Sequence, residues 1–369
     1  MAGLYIHVPF CKSRCIYCDF YSTTCHTPWM HRYATALIRE MEQRRATWTF
    51  PVVDTLYVGG GTPSCLPPDL LQKILQAVVM RYPLAEDAEV TVEANPDDVT
   101  PAWLDAVTGT PVNRISMGVQ TFDDAMLAML HRRHDSQQAV RAVEACREAG
   151  LENISIDLIY GLPGQTLAMW ESDVRRALAL QVTHLSAYAL TYEDGTPLAR
   201  MRDNNKVAEA DEELSLAMYR LLCRLSAEAG MQHYEISNFA LPGCASRHNG
   251  GYWQGLPYLG LGPGAHSYDG QRWRRWNTHD LARYVDADCA PYESEVLTDD
   301  ELYDEFIMTR LRTQQGADLA LLDASRRDYC MQMARPHIAA GRLRLDGNRL
   351  MLTSEGLFVS NDIICDLMN

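Results

Sequence analysis

Cys11, Cys15 and Cys18 fall within the run HVPFCKSRCIYCDFYS, and this CxxxCxxC triplet constrains the chain more than any other feature. Three thiolates are one too few to close a tetrahedral structural zinc site or to cap every iron of a cubane cluster. They are enough to hold a [4Fe–4S] cluster with one iron left open, where a small molecule can bind and be reduced. Two other readings stay open on the triplet alone: a zinc site completed from elsewhere, with Cys25 as the nearest fourth donor, or thiols that only pack. The zinc reading lacks its other half, because no second CxxC and no HxxxH follows.

Composition narrows the setting in which such a site works. With 369 residues, 47% of them hydrophobic and 22% charged, the chain suits one large core with a smaller domain appended. A net charge of −15 gives it nothing with which to attract a nucleic-acid backbone. No apolar run reaches the roughly 18 residues of a membrane span, and MAGLYIHVPFCK does not read as a secretory leader. Eleven cysteines, an odd number in a long chain, do not resemble a secreted disulfide framework. The expected compartment is the cytoplasm, where thiols stay reduced.

Short β-branched or aromatic runs alternate with helical patterns over the first two thirds. Strands are expected at 4–8, 54–58, 89–93, 114–119, 153–159 and 184–190. Between them, Tyr33, Leu37 and Met41 recur at helical spacing, as do Leu70, Ile74 and Val78, and a longer helix is expected near 209–229. Six strand-then-helix units imply a parallel α/β sheet, either doubly wound or curled into a barrel. The motifs CKSRC, GGGTPS, EANP, GVQTF and DLIYGLPGQ follow strand ends, where parallel α/β folds bind ligands. From 236 to 295 the chain is rich in Gly, Pro and aromatics and reads as an ordered, irregular extension of the 1–235 unit. Residues 296–369 show helices and a hairpin centred on Asp346-Gly347, which suggests a small winged-helix-like domain. Its eight Arg, no Lys and twelve acidic residues argue against DNA reading.

Several residues at these strand ends carry chemistry. Gly59-Gly60-Gly61-Thr62-Pro63 lets the backbone approach a ligand and has no Lys of a Walker loop. Glu93, Gln120, Arg132 and Asp157 together suit a zwitterionic, nucleotide-like ligand, the carboxylates gripping hydroxyls and Arg a carboxylate. Asp157 sits among apolar neighbours and needs a partner. Tyr17 places an aromatic beside the thiols. His248 in HNGGYW offers a nitrogen to a metal, with Tyr252 and Trp253 as flat faces for a macrocycle; a satisfied loop histidine is the competing reading. His266 is a second candidate, and His7 is expected in the core. Cys65, Cys146, Cys223, Cys289, Cys330 and Cys365 read as buried small hydrophobes.

The order CxxxCxYC, GGGTPS, EANP, RISMGVQTF, DLIYGLPGQT resembles the radical-SAM superfamily, in its oxygen-independent coproporphyrinogen oxidase branch. The resemblance runs from about residue 3 to the C-terminus. It implies a partial (β/α)6 barrel with a [4Fe–4S] cluster on Cys11, Cys15 and Cys18 and S-adenosylmethionine on the open iron. Tyr5, Gly60, Gly61, Thr62, Glu93, Gln120, Arg132 and Asp157 would line that site. Within the branch the chain is most similar to the haem-chaperone group. His248–Trp253 completes that group's HNxxYW motif, and Phe20 stands where the oxidase carries an extra cysteine. The chain also begins only ten residues before Cys11, without the oxidase's longer amino-terminal arm. Haem would be the cargo, His248 the haem-associated residue, and acceptor haem proteins, respiratory enzymes among them, the partners. Cluster-linked dimerisation would follow. The competing activity is S-adenosylmethionine-dependent oxidative decarboxylation of coproporphyrinogen III.

Overall fold

The computed structural model describes residues 1–24, 27–47 and 49–369; Cys25, considered above as a fourth zinc donor, lies outside the described residues. Six parallel strands form the frame: β1 (Gly3–Val8), β2 (Val53–Gly60), β3 (Leu84–Ala94), β4 (Arg114–Gln120), β5 (Asn153–Tyr160) and β6 (His184–Ala189). They lie side by side in chain order. A doubly wound sheet would reverse direction part-way, so this order selects the partial barrel.

The strands alternate strictly. Leu4, Ile6 and Val8, Leu56 and Val58, Val90 and Val92, and Ile154, Ile156 and Leu158 face outward into one core with Tyr33, Leu37, Met41, Ile74 and Val78 of the covering helices. The intervening residues face inward and are polar: Thr55 and Tyr57, Glu89, Thr91 and Glu93, Arg114 and Ser116, Ser155 and Asp157, His184 and Ser186. A helix layer on one face and a polar interior on the other make the barrel a container, with the outer layer supplying most of the burial.

The segment 236–295 is more regular than its composition suggests. It holds β8 (Asn238–Ala240), β9 (Tyr258–Leu261), β10 (His266–Tyr268), β11 (Trp273–Asn277) and β12 (Tyr292–Val296), with helices Arg247–Trp253 and Leu281–Asp286. With β7 (Gln232–Glu235), these strands extend the frame to a twelve-stranded sheet. β9 pairs parallel to β1 on one side, and β8 pairs antiparallel to β6 on the other. Strands of three to five residues are too brief to show a period-2 signal.

Beyond a helix at Asp299–Arg310, three antiparallel strands, β13 (Ala317–Asp318), β14 (Leu343–Asp346) and β15 (Arg349–Leu352), form a separate sheet, with β15 central. Tyr303, Ile307, Cys330, Leu350 and Ile363 give it its own core. Its hairpin turns at Gly347, where φ is 58°. Among the cysteines expected to be buried, Cys65, Cys146 and Cys330 are, Cys223 is half-buried, and Cys289 and Cys365 are exposed, correcting the expectation for those two.

Candidate functional site

The barrel opens at the carboxyl ends of its strands onto a cavity of about 670 Å³, within the range of small-molecule sites. Cys11, Cys15 and Cys18 line one side on the loop after β1. Tyr5, Tyr17, Gly60, Gly61, Thr62, Glu93, Gln120, Arg132, Asp157 and His248 line the rest. Residues spread over more than 230 positions of sequence thus face one space. Phe20 stands at the same cavity, exposed.

The three thiols are half-buried and unpaired with one another. Cys11 Sγ lies 3.4 Å from Thr62 Oγ1, and Arg132 Nη1 donates to Cys15 Sγ at 3.3 Å. Burial, with Cys15 and Cys11 nearby, pushes the Cys18 thiol up to about 11. Crowded thiols of this kind become thiolates together only when a cation is there to share. Among the described residues no three His, Cys, Asp or Glu side chains converge on a single metal-ion position.

The glycine loop is shaped by close approach. Gly60 has φ of 112°, in the region open to glycine, and a Cβ on Gly61 would sit 2.7 Å from the Phe10 carbonyl. Gly60 N–H donates to Glu93 Oε2 at 3.1 Å, and Tyr57 OH donates to Glu93 Oε1 at 2.8 Å. Burial, reinforced by Asp157, still raises the Glu93 carboxyl to about 7. Burial also raises Asp157, whose partners are the Ser186 and Ser116 hydroxyls, the latter at 3.5 Å.

Arg132 donates through Nη2 to Asn95 Oδ1 at 2.6 Å and to the Gly118 carbonyl, while its Nε has no partner. Gln120, φ 73°, follows a register shift in β4, and His131, φ 59°, precedes Arg132. Gln120, a non-glycine residue held in the left-handed region at the cavity wall, shows a form of strain that gathers at functional sites. An orphaned guanidinium nitrogen, two carboxyls of raised pKa and a backbone cradle suit a ligand carrying both a carboxylate and hydroxyls. The residues present therefore fit a thiolate-held cluster with a zwitterionic nucleoside ligand.

His248 is enclosed by hydrogen-bonding and stacking partners. It is 3% exposed, with Nδ1 2.9 Å from Thr55 Oγ1 and Nε2 2.8 Å from Tyr252 OH. Its ring stacks on Tyr57 with centroids 5.2 Å apart. Burial, aided by Arg114, lowers its pKa to about 3. Both of its ring nitrogens are thus hydrogen-bonded, and one face of its ring is covered by Tyr57. It lines the floor of the cavity. The Glu89 carboxylate holds it there by accepting from Arg247 N at 2.8 Å and His248 N at 3.0 Å.

Sequence reasoning passed over Tyr57, Glu89, Asn95, Arg114, Ser116 and Ser186. Their signal was present: each inward-facing one sits at every second position of an otherwise apolar strand.

A six-stranded parallel partial barrel with this thiol loop at its mouth defines the radical-SAM type of architecture. Residues 5–177 match the Radical SAM superfamily model, and 297–359 match that of the HemN C-terminal domain. The fold superposes on the coproporphyrinogen III oxidase HemN of Escherichia coli with a TM-score of 0.86, covering 100% of this chain and 90% of that one at 23% identity. Among curated proteins, the chain is 38% identical to "Heme chaperone HemW" of Mycobacterium tuberculosis, over 99% of this chain and 94% of that protein. It is 33% identical to "Heme chaperone HemW" of Escherichia coli, over 98% and 97%. The chain belongs to the HemW family of the radical SAM superfamily.

Proposed function

We propose that this protein is a haem chaperone. It binds haem, passes it to acceptor haem proteins and carries a [4Fe–4S] cluster on Cys11, Cys15 and Cys18, with S-adenosylmethionine as the cluster's ligand. The observation that carries the reading is the convergence of the three thiols, the glycine loop, Glu93, Arg132 and Asp157 on one cavity, in a chain whose full-length relatives are named haem chaperones. When bound, the cluster supplies an open coordination site and an electron.

The protein's own residues then divide the work. Arg132 pairs with the ligand carboxylate through its unpartnered nitrogen. Glu93 and Asp157 accept from hydroxyls or an amino group, and the backbone of Gly60 and Gly61, next to Thr62, packs against the ligand. Gln120 and Tyr17 close the wall, and Tyr5 lies beside Tyr57 below. His248 positions Tyr57, whose hydroxyl in turn fixes Glu93. Among the described residues no helix is long and apolar enough to cross a membrane. Cytoplasmic action, membrane contact only through a partner, and cluster-linked pairing of two copies belong to the same proposal.

The alternative reading is an oxygen-independent coproporphyrinogen III dehydrogenase, since every gripping residue of the cavity is retained. One anaerobically reconstituted sample separates the two. Haem titration should give saturable binding, and an assay with reductant, S-adenosylmethionine and coproporphyrinogen III should give no protoporphyrinogen. Product at many turnovers would overturn the chaperone reading.

A further inference from the structure

The turn EANPDD that follows β3 carries a buried carboxylate that the site itself does not use. Asp98 ends the short helical turn Pro96–Asp98, and its side chain is 0% exposed without lining the barrel cavity. We propose that Asp98 is the positioning residue that holds the thiol loop, the glycine loop and Arg132 in register with one another. The inference rests on the cluster and S-adenosylmethionine reading and names what fixes that site's walls.

Lys12 Nζ donates to Asp98 Oδ1 at 2.5 Å, and Ser64 Oγ donates to Oδ2 at 3.0 Å. Arg133 Nη2 donates to both oxygens at 3.2 Å. The three donors come from separate stretches of chain, and none of them lines the cavity. Each lies beside a residue that does: Lys12 follows Cys11, Ser64 comes two positions after Thr62, and Arg133 follows Arg132. Asn95 of the same turn reinforces the tie. Its N–H donates to Ser64 Oγ at 3.0 Å, and its side chain accepts from Arg132. One turn therefore gathers the three motifs from behind, and their cavity-facing neighbours meet in front, Cys11 against Thr62 and Arg132 against Cys15.

A carboxylate shut away from water persists only where its charge and lone pairs are matched. Here two cations and a hydroxyl match them. The charge also keeps Lys12 and Arg133 together, since two cations drawn to one point repel once the anion is gone. Asn at position 98 would keep the shape, lose the charge and turn an NH2 toward a donor. Lys12 would leave first, because its side chain is 49% exposed and reaches water. Cys11, its neighbour, would move with it. Asp97 supplies the contrast: it meets Arg133 Nη1 at 2.6 Å and forms no ion pair with Lys12 among the described residues.

Two readouts test the assignment. One is maleimide labelling of the cluster-free, full-length protein, read cysteine by cysteine by mass spectrometry. The other is titration of the reconstituted protein with S-adenosylmethionine, followed by electron paramagnetic resonance. Asp98→Asn should label severalfold faster at Cys11 and bind S-adenosylmethionine about tenfold more weakly, as expected of misplaced gripping groups. Asp97→Asn should stay close to wild type in both. Lys12→Gln should shift both readouts the same way as Asp98→Asn with an unchanged thermal melt, and should add nothing in the Asp98→Asn background. Cys146, buried in the core, should stay unlabelled throughout; if it labels, Asp98→Asn has lost its fold and Lys12→Gln decides alone. Wild-type labelling and affinity in a folded Asp98→Asn, or in Lys12→Gln, would overturn the assignment while the cofactor reading stands. If the wild-type protein takes up no iron–sulfur cluster, the cofactor reading falls, and the labelling still decides whether Asp98 holds the loops.

Discussion

Replacing Glu89 by Gln removes the charge that pins the 247–253 helix into the barrel floor. Glu89 is 7% exposed and accepts from two backbone N–H groups, Arg247 at 2.8 Å and His248 at 3.0 Å, with the Ser246 hydroxyl a further 3.4 Å contact. A hydrogen bond to a charged group contributes about 1.5–3 kcal/mol. Gln keeps one acceptor oxygen and turns an NH2 toward the other donor, so the loss should be roughly 2–4 kcal/mol, with a fall in Tm on the order of 5 °C. Asp87→Asn is the internal control. Asp87 meets Arg247 at 3.2 Å, but its side chain is 82% exposed, and exposed pairs contribute about 0–1 kcal/mol. Calorimetry or far-UV melts of the two variants read the difference. S-adenosylmethionine affinity should fall with Glu89→Gln as well, because His248, Tyr57 and Glu93 are linked above it. Equal melting of the two variants would refute the claim that this carboxylate holds the floor in place.

Three further outcomes follow from the same geometry. Glu93 has a folded-state pKa of about 7 against 4.5 for the free carboxyl, so the folded state holds the proton longer and stability falls as pH rises from about 4.5 to 7. Allowing for its solvent-facing side, the cost at pH 8 is about 1–3 kcal/mol. Glu93→Gln should therefore melt higher than wild type at pH 8 and close to it at pH 4.5 while binding S-adenosylmethionine more weakly; a pH-independent difference would contradict this. Gly61→Ala places a Cβ 2.7 Å from the Phe10 carbonyl, and iron loading after reconstitution should drop severalfold through displacement of the thiol loop; normal loading would show that the loop tolerates the contact. His248→Ala should lower stability by about 2–4 kcal/mol, through two lost buried hydrogen bonds; an unchanged melt would show that the ring's contacts hold nothing in place.

The sequence was most legible where one physical rule dominated. The strand expected at 114–119 is Arg114–Gln120 and that at 153–159 is Asn153–Tyr160, because branched apolar residues at alternate positions must face a covering helix. Every residue the family resemblance placed at the site reaches the same cavity, since motifs after parallel strands share one rim. The start of β3 at Leu84 was not legible: Glu86 and Asp87 are exposed beyond the sheet's helix-covered part and carry no apolar signal. Nor was the fate of His248, because a motif gives residue types and not what they bond to. Only the fold shows Thr55, Tyr57 and Tyr252 around that ring.

The most direct test of the central claim is electron paramagnetic resonance of anaerobically reconstituted, dithionite-reduced protein, with iron and sulfide analysis of the same sample. About four iron atoms per chain and a cubane signal that changes shape when S-adenosylmethionine is added are expected, with both lost when Cys11, Cys15 and Cys18 are replaced by Ser. Stoichiometric zinc without sulfide, or a cluster signal that survives loss of those three cysteines, would contradict the account.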